Sequence, residues 1–469
     1  MNGGVRMKRI CLAVFISIMA FFAFSSKVHA EPEVFAYTYI LMESSTGRII
    51  AEQDMHNRMF PAATTMILTA ILAYEYLGMD EIFIVSDEVN QVPFGAATIG
   101  LEVNEAILGL NLIRGMLIGA GLDAANVVAL NVARAALGEP ALPWLQAQAH
   151  FIGMMNARAL ELGALDSRFV NAHGMHHGSH FTSAYDLARI ARHFIAVPTL
   201  AQIAATPSFT GAMAGTMDAG ELELTGVILR NRTFNSSNEL IRAGENFYSY
   251  ARGIRAGRTD LAGDVLVAAA EQGGVMLISV TMNSPHIDGV PTRWRDNIQL
   301  FEYGFGNYAH EALLFGHAVQ GRLDVLDPRL GDEVYLEYYS IAYASFYMSQ
   351  AELLRVEIVF EYSSEFVGYY EDVRHFLAPI YEGTVIGTIS HILDGEVLFV
   401  SNLYAARDVY ERTTSTDIEY WLGVVFSRAA LPYWVAGVLG ILLVIVIVFI
   451  IRKKFRDSKS RQSKYKIRL

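Results

Sequence analysis

The order of hydrophobic patterns predicts a mixed α/β layer fold built on an antiparallel sheet, followed by a small β-rich domain and one long apolar helix. Three observations carry that expectation. Strand-like runs stand at both ends of the first part of the chain with helical periods between them, which sets helices against one sheet. After about Asn307 the texture changes to short strands separated by turn residues, as in an all-β module. Tyr433 to Ile451 is then an uninterrupted apolar stretch, long enough for one membrane crossing.

The elements follow in order. Tyr37 to Met42 and Arg48 to Ala51 flank Ser44-Ser45-Thr46-Gly47, which reads as a β-hairpin. A helix is expected from Ala63 to Leu77, closed by Gly78 as its C-cap. A second should begin after Asn104 and run through Leu117. Others are expected over Ala124 to Leu137, over Pro143 to Leu162 with Pro at its first position, and over Ser183 to Phe194, stopping before Pro198. Val265 to Ala268 and Val275 to Val280 read as strands around Gly273-Gly274, and Arg293 to Tyr303 as a closing helix. Val334 to Tyr338, Arg355 to Tyr362 and Gly383 to Ile389 are the strands of the later module.

The two ends are of another kind. Met7-Lys8-Arg9, the apolar run Ile10 to Phe24 and the small-x-small step Val28-His29-Ala30 form an export-signal pattern. An uncleaved anchor is the other reading of that run. Trp434 and Tyr433 sit where an interfacial aromatic belt would be, and Arg452-Lys453-Lys454-Phe455-Arg456 follows the apolar stretch. Under the positive-inside rule the tail is cytoplasmic and the bulk of the chain extracytoplasmic. The expected divisions are a signal at 1–30, a main domain at 31–306, the β-rich domain at 318–412, a transmembrane helix at 433–451 and a basic tail at 452–469.

Composition narrows the function. Charged residues are 18% and hydrophobic ones 53% of the chain, which excludes global disorder. The formal charge is −12 overall. Because both ends are basic, the middle is near −24. That argues against a nucleic-acid partner. The single cysteine, Cys11, lies in the leading segment, so the mature part has no disulfide and no thiolate ligand. His173, His176, His177 and His180 cluster in a loop-like stretch, but no carboxylate accompanies them at ligand spacing. No metal or other cofactor is assigned. Asp186 reads as a helix-start residue, favoured by the dipole.

The chemistry-bearing landmarks occur in a fixed order. They are Ser44-Ser45-Thr46-Gly47-Arg48, Phe60-Pro61-Ala62-Ala63-Thr64-Thr65-Met66, Gly119-Ala120-Gly121-Leu122-Asp123, Asn171-Ala172-His173-Gly174, His180-Phe181-Thr182-Ser183-Ala184, and Gly253-Ile254-Arg255-Ala256-Gly257-Arg258-Thr259. This series resembles the serine-type D-alanyl-D-alanine carboxypeptidases, the low-molecular-mass penicillin-binding proteins, over nearly the whole exported region. The resemblance implies a β-lactamase/transpeptidase-like domain facing peptidoglycan. It also implies that Ala378 to Gly387 belongs to a β-rich domain that holds the main domain off the membrane.

In that family a Ser-x-x-Lys pair on one helix face supplies nucleophile and proton acceptor. The resemblance puts Ala63 at the Ser position and Met66 at the Lys position, and neither can do the work. Thr64 and Thr65 point elsewhere around the helix. The family's Ser-x-Asn falls on Ala120-Gly121-Leu122 and its Lys-Thr-Gly on Arg255-Ala256-Gly257. Arg255 keeps the cation, while Gly257 would allow close approach of a ligand backbone; with Thr259 these are the candidate binding residues. Apolar residues at all four catalytic positions leave no half-kept polar network to orphan buried groups.

The expected function is therefore a catalytically inactive family member that binds peptidoglycan stem peptides or a cell-surface partner protein. A residual serine-type carboxypeptidase using other groups, and a surface scaffold acting through the β-rich domain, are the alternatives. At Arg255 the competing expectation is a solvated strand-edge arginine that balances an acidic domain.

Overall fold

The computed structural model describes residues 31–93, 95–214 and 227–464, with side chains to 456. The proposed signal at 1–30 and the last residues of the tail lie outside the described residues. The chain divides into two compact units, one ending at Ala309 and the other beginning at His310.

The first unit is a five-stranded antiparallel sheet with helices packed on it. Its strands are β1 (Thr38–Glu43), β2 (Ile49–Gln53), β7 (Ala251–Thr259), β8 (Gly263–Gln272) and β9 (Val275–Ser284), in the order β2-β1-β9-β8-β7. β7 is thus an edge strand. Every side chain of β8 from Asp264 to Ala270 is buried, as is β9 from Leu277 to Met282, so the sheet centre is covered on both faces. Two outlying ribbons join β3 (Ile82–Ile84) to β4 (Ala106–Leu108) and β5 (Ser208–Ala212) to β6 (Asn231–Asn235).

Helix α1 (Met66–Tyr76) has eight consecutive buried residues, Met66 through Ala73, with no polar face along that stretch. It is therefore a central helix, surrounded by α2 (Gly109–Leu117), α3 (Leu122–Leu137), α4 (Trp144–Glu161) and α5 (Ala184–Ile195), with α6 (Pro198–Ala204) and α7 (Arg293–Asn307) completing the layers. Pro143 and Ser183 stand just before their helices as N-caps, and Ser183 Oγ accepts the Asp186 N–H. That carboxylate does more than favour a helix start: it is buried and accepts the N–H of Asp166 and the hydroxyl of Ser167.

Three local expectations are corrected. Ala62–Thr65 form a 3₁₀ turn ahead of α1. Gly78 does not cap α1, which ends through an extended Leu77; the close approach there is made by Gly109, whose Cβ would lie 2.3 Å from the Gly78 carbonyl oxygen. The helix expected after Asn104 starts only at Gly109, because Ala106–Leu108 pair with Ile82–Ile84 as strands.

The second unit holds a seven-stranded sheet in the order Glu357–Tyr362, Val385–Leu393, Glu396–Ala405, Tyr335–Tyr339, Val319–Leu326, Val373–Leu377, Val367–Tyr370. Leu336, Tyr338, Phe376, Ile386, Ile389 and Leu403 form the centre of its core. Two helices follow, α8 (Thr414–Val425) and α9 (Leu431–Lys464). Leu431–Arg456 is long and apolar enough to cross a membrane.

Candidate functional site

The site is built where edge strand β7 meets the turn that starts α1. Gly257 is required there by the protein itself. A Cβ on Gly257 would fall 2.7 Å from the Ala63 backbone nitrogen. Gly174, with φ +82°, closes the same turn from the other side, where a Cβ would overlap the Ala62 carbonyl oxygen at 1.7 Å. Ala62 and Ala120 both hold left-handed backbones, at φ 50° and 58°. Such conformations cost a non-glycine residue ~1–2 kcal/mol each and persist only where surrounding structure enforces them.

Around this junction lies an open cleft of about 660 Å³. Ala63, Ala120, Leu122, Arg255, Gly257 and Thr259 all line it, so the positions singled out by the motifs converge on one place. Met66 is fully buried beneath it. Thr64 and Thr65 are buried as well and their hydroxyls are committed. Thr64 Oγ1 donates to the Pro61 carbonyl at 2.6 Å, and Thr65 Oγ1 to the Ala62 carbonyl at 2.9 Å.

Arg255 is 1% exposed, which overturns the alternative of a solvated edge arginine. Its Nη1 donates to the Leu117 carbonyl at 3.0 Å and to Ser237 Oγ at 2.7 Å, Nη2 lies 3.8 Å from Met66 Sδ, and Nε has no partner. Among the described residues, Arg255 makes no ion pair with a carboxylate; its polar contacts are these neutral ones. Burial, and secondarily the charge of Arg293, push this guanidinium down to about 10. It stays charged at neutral pH, at a desolvation cost that a bound anion would offset.

The neighbouring cations are differently placed. Asp264, 2% exposed, sits 2.8 Å from Arg293 and 3.7 Å from Arg258, and takes a 2.5 Å contact from His286 Nε2. Arg293 also donates to the Gly257 carbonyl at 3.2 Å. The Thr259 hydroxyl accepts the Ala262 N–H at 3.1 Å, which leaves its own O–H to donate into the cleft.

Ser237, Arg293 and Asp264 were not legible as site residues. Ser237 reads as turn chemistry within Asn235-Ser236-Ser237-Asn238, and its contact with Arg255 exists only because the connection into β7 folds across the strand. His180 Nδ1 accepts the Val170 N–H at 3.2 Å and Nε2 meets Thr65 Oγ1 at 2.9 Å, while His173 Nδ1 accepts the Met175 N–H. Among the described residues no group of histidines and carboxylates is placed to hold a metal ion.

Known proteins share this fold over most of the chain. Residues 25–286 match the D-alanyl-D-alanine carboxypeptidase family profile. The chain is 24% identical to D-alanyl-D-alanine carboxypeptidase DacF of Bacillus subtilis over 431 residues, covering 89% of this chain and 98% of that protein. It is 26% identical to DacA of Escherichia coli over 445 residues, covering 86% and 93%. Among solved structures, penicillin binding protein 5 of Haemophilus influenzae superposes with a TM-score of 0.55 at 22% identity, over 82% of this chain and all of that one. DacD of Francisella tularensis gives a TM-score of 0.57 at 21% identity, over 81% and 95%. With a profile that spans more than half its length and a fold shared with such structures, the chain belongs to the D-alanyl-D-alanine carboxypeptidase family.

Proposed function

We propose that this protein is an exported, membrane-anchored member of its family that binds the free carboxylate end of a peptidoglycan stem peptide without forming an acyl intermediate. The observation that carries the reading is the buried Arg255 guanidinium, which lines the cleft and has no anionic partner among the described residues. An unpaired buried cation is costly. A carboxylate seated against it would accept charge-assisted bonds from the guanidinium, and Ser237 and Thr259 are placed to add hydroxyl contacts. At the nucleophile and base positions the cleft offers only the methyl of Ala63 and the thioether of Met66, which cannot attack a carbonyl or take a proton. Leu431–Arg456 supplies the anchor, with the basic tail inside the cell.

The test is a titration of the full chain in detergent with a stem peptide ending in free D-Ala, and with the same peptide amidated, alongside incubation with a fluorescent penicillin. Tighter binding of the free acid and no covalent penicillin adduct are expected. A covalent adduct would overturn the inactive reading, and equal affinity for acid and amide would remove carboxylate recognition.

A further inference from the structure

Buried Asp264 of β8 stands among three basic groups that share its two oxygens. Oδ1 meets Arg293 Nη1 of α7 at 2.8 Å, while Oδ2 meets His286 Nε2 at 2.5 Å and Arg258 Nη1 of β7 at 3.7 Å. The same His286 nitrogen lies 2.8 Å from Arg258 Nη1. One ring nitrogen cannot serve both neighbours. With a lone pair it accepts from Arg258 but turns that lone pair on a carboxylate; with a hydrogen it donates to Asp264 and sets N–H against N–H. A protonated ring leaves only the second state and adds a third positive charge around one carboxylate. The three cations are not held equally. The Arg293 side chain is 15% exposed and also donates to the Gly257 carbonyl, and His286 is the nearest to Asp264. Arg258 is the farthest, and its side chain is 55% exposed. On the ribbon that carries His286, formed by His286–Ile287 and Val290–Pro291, the other charged residue is Asp288 in the turn.

We propose that Arg258 is a second carboxylate-binding residue of the cleft, withheld at Asp264 while His286 is neutral and displaced towards the ligand when His286 is protonated. The inference rests on reading the cleft as a carboxylate site. Arg258 lines that cleft together with Arg255, so its long side chain can turn from Asp264 to the ligand without any movement of β7. Among the residues lining the cleft the carboxylate is Asp260, which is exposed and so holds an arginine only weakly. A ligand carboxylate already seated beside Arg255 is the better acceptor, because a guanidinium can grip it with two parallel bonds. The sign of the effect follows from which group titrates. Imidazoles gain their proton between pH 8 and 5, whereas a peptide's terminal carboxyl, at ~3.5, stays ionised throughout that range. Binding of the free acid therefore strengthens as the pH falls.

The experiment titrates the full chain in detergent at pH 8 and pH 6, the range in which imidazoles change charge, with a stem peptide ending in free D-Ala and with its amide. Wild type, His286→Gln and Arg258→Gln are compared. A glutamine amide gives Arg258 an acceptor and Asp264 a donor at once, and it does not titrate. The wild type should bind the free acid about three- to tenfold more tightly at pH 6 than at pH 8, and most of that gain should vanish in both variants. His176 also lines the cleft and titrates in all three proteins, so the readout is the difference between their pH slopes. A flat wild-type response, or a gain kept in either variant, would overturn the gating of Arg258 while an acid preference left carboxylate recognition standing. Equal affinity for acid and amide at both pH values would overturn that recognition and the proposal with it.

Discussion

Arg255 Nη2 faces the sulfur of Met66 at 3.8 Å, so a fully buried guanidinium meets a soft apolar atom. The two positions are matched to each other. A thioether beside the cation avoids like-charge repulsion and leaves the positive charge available to whatever enters the cleft.

The first consequence concerns stability against binding. Replacing even a buried ion pair by apolar side chains of similar volume is often neutral or stabilising by ~1–4 kcal/mol, and Arg255 has no ion pair to lose among the described residues. Arg255→Met should therefore hold or raise the melting temperature of the ligand-free protein. Charge-assisted bonds contribute ~1.5–3 kcal/mol, so the same variant should bind a free-acid stem peptide about ten- to a hundredfold more weakly. Calorimetric melting and peptide titration of one preparation check both. A destabilised variant with unchanged affinity would make Arg255 a packing residue.

Restoring single catalytic residues should fail, because groups acting as a unit are non-additive. Ala63→Ser alone should give no penicillin adduct, since positions 66, 120 and 122 still carry Met, Ala and Leu. Met66→Lys should destabilise the fold by at least ~2 kcal/mol, because it buries an ammonium against Arg255 with no anion to answer it. Denaturant unfolding and a gel-based acylation assay report the two outcomes.

Gly174→Ala should be among the most damaging of small substitutions. The added methyl meets the Ala62 carbonyl oxygen at 1.7 Å at a residue whose φ is +82°, so overlap and backbone strain combine to ~3 kcal/mol or more. Loss of soluble expression, or a urea midpoint lowered to match, is the expected readout. Gly138→Ala, also left-handed but with no atom within 4 Å of the new methyl, is the control and should cost only ~1–2 kcal/mol.

Stability should fall on mild acidification. Burial holds His173 down to about 4 and His180 down to about 3, below the ~6.5 of an unfolded chain. Under pH ~6.5 the unfolded state binds protons that the folded state refuses, so stability drops towards pH 4, by up to ~1.4 kcal/mol per pH unit for each histidine. Asp186 and Asp296, whose carboxyls burial raises, act in the opposite direction near the lower end of that window. Urea midpoints between pH 7 and 5 are the measurement, and His180→Gln should flatten the slope. A flat wild-type profile would contradict the burial argument.

Much of the fold was legible because local patterns and tertiary packing agree. The β1–β2 hairpin, the unbroken apolar run of α1 and the strands around Gly273-Gly274 each read the same way alone and in context. The site was legible only as an inventory of positions. Arg255 looks exposed in a polar edge strand, and its burial depends on Leu117 and Met66, which lie 138 and 189 residues away. Gly78 carried a cap signal that α1 does not use, while Gly109 and Gly257 each serve a close contact with another part of the main chain, which no local pattern encodes.

The cleft wall includes Ala63, Ala96, Ala97, Ala120 and Ala256. Alanine has no side-chain torsion whose freedom is lost on ordering, whereas long polar side chains lose up to ~2 kcal/mol each. Where most binding sites pay part of their affinity to freeze rotamers, this wall is already as fixed as the backbone that carries it. The alanine part of the wall can admit or refuse a ligand by shape but cannot remould itself, so a bulkier residue packed against it should be rejected sterically and not accommodated.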